Sequence, residues 1–210
     1  MIRWSRVILL AASVVVLSGC AASTIPAPTT AAPTRSVSPQ ASSSVATPSA
    51  TTSPSAVVVN IPNSCDALAT VDAVSAAMGK TWVAASQEPT LESIIPGPQA
   101  RSAATEATAK LQCLWWPELA TEAYVALGVY RLSDSAATSL LSSLRSTPEY
   151  NSVDPGIPGA VAFSYEDRGG EFLTSTVYVF VGDSWFAGGS LGPAARIVPL
   201  VLDAAKRSIG

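Results

Sequence analysis

Ala160-Val161-Ala162-Phe163-Ser164-Tyr165-Glu166, then Asp167-Arg168-Gly169-Gly170, then Glu171-Phe172-Leu173-Thr174-Ser175-Thr176-Val177-Tyr178-Val179-Phe180-Val181 is the stretch that decides the fold. Two runs rich in β-branched and aromatic residues flank four residues of turn chemistry, which predicts a β-hairpin. In its second strand Phe172, Thr174, Thr176, Tyr178 and Phe180 share one side, and Leu173, Ser175, Val177, Val179 and Val181 the other. Gly182-Asp183 predicts a further turn, into a strand over 184–190 that carries Trp185 and Phe186.

Working outward, three more strands are predicted over 80–86, 110–116 (ended by Pro117) and 122–132; the last alternates two sets that both look substantially buried. Three helices accompany them. Thr70 reads as an N-cap and Gly79 as a stop around Leu68, Val71, Val74, Ala77 and Met78. Ser133 or Asp134 opens a second helix with the stripe Leu132, Ala136, Leu140 and Leu144. Pro193 suits the start of a third, buried through Ile197, Leu200, Val201, Ala204 and Ala205, and Pro199 inside it predicts either a kink or the true beginning. Asp154-Pro155-Gly156-Ile157-Pro158-Gly159 is a loop by its turn chemistry. Strands joined by short turns pair antiparallel, so the order predicts an α+β sandwich: an antiparallel sheet of about five to six strands covered by three helices. Between 87 and 108 the pattern is ambiguous, with Ile94-Ile95 either folded back on the core or forming an exposed contact patch.

The chain begins differently. Arg3 and Arg6 precede an apolar run over 7–16, and Leu17-Ser18-Gly19-Cys20 closes it. The run is shorter than the roughly 20 apolar residues of a membrane span, and charge, apolar run and small residues in that order form a secretory signal. Leu-Ser-Gly-Cys resembles the lipobox of bacterial lipoproteins, and the resemblance implies that 1–19 is removed and that Cys20 receives a lipid anchor. Two or more acyl chains hold a bilayer stably, at about 0.8 kcal/mol per buried CH2. From 20 to 56 the sequence is nearly all Ala, Ser, Thr and Pro with Arg35 its one charge, too poor in large apolar groups to fold, and it is read as a disordered tether. A single globular domain over 57–210 follows.

With Cys20 assigned to lipid, Cys65 and Cys113 remain as a pair in an oxidising setting, and a disulfide is expected. All 15 acidic residues lie after residue 60, together with 9 of the 12 basic ones, a balance of −6. Nucleic-acid affinity depends on Lys and Arg neutralising phosphates, so that balance argues against a nucleic-acid partner. It argues equally against adhesion of the domain to anionic lipid by charge. The expected location is the cell membrane, held through lipid and facing outside the cytoplasm.

Cys65-Asp66-Ala67-Leu68, a helix ending at Gly79 and then Cys113-Leu114-Trp115, behind a lipobox and a Ser/Thr/Pro tether, resemble a family of actinobacterial cell-envelope lipoproteins carrying a domain of unknown function. The resemblance implies a structural Cys65–Cys113 bridge with Trp115 packed beside it. The element order is similar to the PsbP-like sandwich, a fold that supports binding and assembly more often than catalysis.

The chain contains no histidine, so Ser-His-Asp and Cys-His catalysis and the usual zinc sites are not available to it. No Ser-x-x-Lys run or Gly-x-Ser-x-Gly elbow replaces them, and no pattern implies a metal or a cofactor. Gly188-Gly189-Ser190-Leu191-Gly192 reads either as an anion-binding turn or as a tight strand-to-helix connection. Glu166, Asp167 and Glu171 around one turn could serve a cation or acid-base chemistry, although turn-tip carboxylates are usually solvated. Trp116, Tyr150 and Trp185 either fill the core or, with Ile94 and Ile95, line an apolar pocket or a partner surface. The leading expectation is a non-enzymatic domain that binds an envelope protein or ligand. A carrier of lipid or another apolar molecule is the alternative, requiring an internal cavity lined by Trp and Val, and a carboxylate-based hydrolase comes third.

Overall fold

The computed structural model describes residues 57–86, 89–119 and 122–210, all within the unit Thr52–Gly210. The signal segment expected over 1–19, the lipid anchor expected at Cys20 and the tether expected over 20–56 lie outside the described residues. Seven strands form one antiparallel sheet: β1 (Trp82–Ala84), β2 (Ala109–Pro117), β3 (Val125–Arg131), β4 (Asn151–Val153), β5 (Val161–Asp167), β6 (Thr174–Val181) and β7 (Ser184–Leu191), in the order β1-β2-β3-β7-β6-β5-β4. The α+β class is therefore as expected, and the strand count of five to six is corrected to seven. All six strands read from the sequence are present, and β4 is the addition. It has three residues, none of them buried, and so lacks an apolar alternation to betray it.

The deciding hairpin is β5–β6, paired from Val161↔Phe180 to Asp167↔Thr174. β7 returns through Gly182 at φ 56° and pairs with β3 from Val125↔Ser190 to Arg131↔Ser184. After β3 the helix α5 (Asp134–Ser146) carries the chain to the far edge, from which β4 to β7 step back to the centre.

Helices lie on both faces, which is why β3, β6 and β7 are apolar on both sides. One face packs Cys113, Trp115, Leu127, Val177, Val179 and Phe186 against α1 (Cys65–Leu68), α2 (Val71–Met78) and α6 (Ala194–Ser208). The other packs Leu114, Tyr130, Phe163, Tyr178, Phe180 and Trp185 against α3 (Leu91–Ile94), α4 (Pro98–Glu106) and α5. Among the described residues six helices thus replace the expected three. The three predicted ones are α2, capped by Thr70 and closed by Gly79 at φ 73°, α5, capped by Ser133, and α6. Pro199 is an interior residue of α6 and not its start.

The Gly188-Gly189 pair sits in the middle of this three-layer arrangement. A Cβ on Gly188 would collide with the Val201 side chain of α6, and one on Gly189 would lie 3.0 Å from the Ser93 carbonyl of α3. Two glycines in succession point to opposite faces of a strand, so together they let one helix approach from each side. The segment read as a strand-to-helix connection over 188–192 is thus strand through Leu191, and only Gly192 lies in the turn to α6.

Candidate functional site

The sequence singled out Ile94, Ile95, Trp116, Tyr150 and Trp185 as a ligand or partner surface, and the fold brings all five to the α5 face of the sheet. It does not leave them open. Ile94, Ile95 and Trp185 are 0% exposed, and Trp116 and Tyr150 are half-buried. Of the two alternatives the sequence left open, Ile94, Ile95 and Trp185 take the core. The cause for the isoleucines is local. Thr90 and Ile95 cap α3, whose Ser93–Ile94 backbone lies against Gly189 of β7, and both isoleucines are buried there.

The aromatic residues form a continuous line across that face. Ring centroids are 5.3 Å apart for Tyr165–Tyr150, 5.9 Å for Tyr150–Tyr178, 5.1 Å for Tyr178–Trp185 and 4.9 Å for Tyr130–Trp185. Such pairs contribute about 0.5–1.5 kcal/mol each beyond their buried area. Two hydroxyls are anchored: Tyr130 accepts from Gln112 Nε2 at 2.9 Å, and Tyr178 donates to the Pro96 carbonyl at 3.3 Å. Burial holds the phenols of Tyr130 and Tyr178 well above the ordinary tyrosine range.

Cys65 and Cys113 are joined, with Cα atoms 5.5 Å apart, tying α1 to β2 on the α6 face where Trp115 packs. In the loop-entropy account a bridge of this span contributes about 4 kcal/mol. Cys20, the third cysteine, lies outside the described residues.

Two of the three carboxylates around the β5–β6 turn, Glu166 and Asp167, are engaged in structure, and Glu171 is exposed. Glu166 Oε1 accepts the Ala194 N–H at 2.8 Å, and its Oε2 is 2.7 Å from Arg168. Pro193 has no side-chain oxygen with which to cap α6, so Glu166 reaches over from β5 to do it. The Ala194 N–H, followed by Arg168, holds its carboxyl below the usual range. Asp167 Oδ1 accepts the Gly169 N–H at 2.8 Å and shapes the turn. Among the described residues no group of three or more His, Cys, Asp or Glu side chains is placed to hold a metal. No helix among them is long and apolar enough to cross a membrane.

Two grooves open on the surface. A groove of about 260 Å³ between α4 and α5 is lined by Gln99, Ser102, Glu106, Ser135 and Ser139, and it adjoins the Ser/Thr-rich outer side of α5. Another, of about 410 Å³, lies between Lys80, Thr81, Pro117, Glu118 and Leu119. Neither is lined by the tryptophans and valines that the carrier reading requires. Sequence reasoning missed the exposed apolar groups Leu119, Phe172 and Val83. Phe172 was read as part of a strand, but β6 begins only at Thr174; its neighbours Gly169, Gly170 and Glu171 were the available sign of a solvated turn.

The fold and its contacts define a three-layer sandwich with a fully antiparallel central sheet and one disulfide. No protein-family model matches this chain, and no match is found among curated proteins.

Proposed function

We propose that this chain is a lipid-anchored envelope protein, held by an acylated Cys20 outside the cell membrane, whose tethered domain binds a partner protein without doing chemistry. The observation that carries the reading is Leu17-Ser18-Gly19-Cys20 behind a basic start and an apolar run. The Cys65–Cys113 bridge supports it, because bridges of this kind persist in oxidising compartments, and it leaves one cysteine for the lipid. The same features underlie a proposed place among actinobacterial cell-envelope lipoproteins with a domain of unknown function. A helix-covered antiparallel sheet supports a relationship to PsbP-like sandwiches. A buried aromatic core and the commitment of Glu166 to capping α6 favour a binding module over a carrier or a hydrolase.

The test is metabolic labelling with an alkyne analogue of palmitate, followed by separation of membrane and soluble fractions. The chain should carry label and sediment with membranes, and Cys20→Ala should lose both. Label retained in Cys20→Ala, or an unlabelled chain in the cytosol, would end the proposal.

A further inference from the structure

The chain enters the domain at one end of the sheet. Val57 passes over Gly182 in the β6–β7 turn, Arg131 Nη2 donates to the Val59 carbonyl at 2.6 Å, and Asn60 N–H donates to the Ser208 carbonyl at 2.8 Å. Val59 also bridges to Ile209. The connections β2–β3 and β5–β6 and the start of α6 all lie at the opposite end, as the strand registers require.

That remote end holds three of the five exposed large apolar side chains among the described residues: Leu119 at 97%, Phe172 at 48% and Val83 at 43%. The remaining two, Val57 and Val58, belong to the incoming segment. Leu119 borders the groove of about 410 Å³. Leu119 follows β2 and Phe172 precedes β6, three strand spacings apart and therefore separated by about 14 Å across the sheet end. The charge there is unbalanced. Glu118, Glu122, Glu166, Asp167 and Glu171 stand against Lys80, Arg168 and Arg196, and Arg168 is already paired with Glu166. Around the incoming segment, Lys110, Lys206 and Arg207 stand beside Asp134 and the Arg131–Asp183 pair, so both signs mix.

We infer that the sheet end remote from Val57, with Leu119 and Phe172 as anchors inside an acidic rim, is the docking surface for a cationic, apolar segment of another envelope protein. The inference rests on the reading of the domain as a tethered binding module and adds where it binds and what it takes. Two observations choose the occupant. Apolar anchors ringed by carboxylates fit a partner that offers apolar groups beside Lys or Arg. The described chain enters at Val57, at the opposite end of the sheet, so the anchors stand apart from that entry point.

The full-length protein is tested in cells with a photoreactive phenylalanine analogue placed at Leu119, at Phe172 or, as control, at Thr138 on the outer side of α5. Positions 119 and 172 should give an adduct with one other envelope protein, about tenfold above position 138, and the cross-linked peptide should be basic and apolar. The double change Glu118→Lys with Glu171→Lys should cut the adduct by about tenfold while leaving the disulfide and the far-UV circular dichroism unchanged. An adduct only with a second copy of this chain, an equal adduct from 138, no adduct, or indifference to charge reversal would overturn the inference. Palmitate labelling of the same variants separates the two proposals: label without the adduct refutes the docking surface alone, whereas loss of label refutes the anchor.

Discussion

Ser175 and Ser190 stand opposite each other on β6 and β7, and only one of the two hydroxyls has a partner. Ser175 Oγ donates to the Gly192 carbonyl and so fixes the turn into α6, where Gly192 has φ 110°. Ser190 is 0% exposed, and its hydroxyl meets no acceptor or donor among the described residues. A buried hydroxyl without a partner carries an uncompensated desolvation cost of about 1–3 kcal/mol, whereas a satisfied one contributes about 0.5–1.5 kcal/mol. The two alanine substitutions should therefore differ in sign. Urea unfolding of Ser175→Ala should show a loss of about 1 kcal/mol, and Ser190→Ala should be neutral or stabilised. A loss from Ser190→Ala equal to that from Ser175→Ala would show that the Ser190 hydroxyl is satisfied after all.

Among the elements, α6 is the one on which the α6 face depends. It packs on β6 and β7, Arg196 Nη1 donates to the Met78 carbonyl at the end of α2, and Arg207 Nη2 donates to the Leu68 carbonyl at the end of α1. Its own amino terminus relies on Glu166, 28 residues earlier. Because the folded-state pKa of Glu166 is depressed, this cap contributes fully above the unfolded value of about 4.5 and is lost as pH falls through the lower folded value. Glu166→Gln should cost about 0.5–1 kcal/mol at neutral pH, and the difference from the parent should shrink on acidification. A pH-independent difference would mean that geometry alone, and not the charge, caps the helix. Elements with local signals were legible in the sequence: Thr70 and Gly79 around α2, Ser133 before α5, and the turn residues of the β5–β6 hairpin. α4 was not, since its buried side is Ala100, Ala103 and Ala104, which carry too little hydrophobic contrast to mark a period. The four-residue α3 is shorter than any periodicity window, so the sequence pattern alone does not decide between core and surface for Ile94 and Ile95.

At the scale of the whole molecule, the two-sided coverage of the sheet governs both what could be read and how the protein responds to alkali. Continuous apolar runs in β3 and β6 announced burial, but which face each aromatic residue joins depends on register set by pairings across the chain, such as Tyr130↔Trp185. Hence Trp185 was legible as important, with core and surface both open to it, while the exposure of Leu119 and Phe172 depends on where β2 ends and β6 begins. All five tyrosines, at 124, 130, 150, 165 and 178, have phenols raised above the ordinary value of 10.0, burial being the first cause in each case. A phenol whose folded pKa is raised contributes stability that is complete below its unfolded value near 10 and is lost as pH climbs toward the folded value. Ionisation followed by near-ultraviolet absorbance should therefore lag behind free tyrosine, with Tyr165 at the solvent end of the aromatic line titrating first. Tyr130 and Tyr178 should ionise only as the sheet opens, in one step coincident with loss of near-ultraviolet circular dichroism. Five independent titrations near pH 10 with the circular dichroism intact would show that the α5 face is not closed over its aromatic core, and would return the carrier reading to consideration.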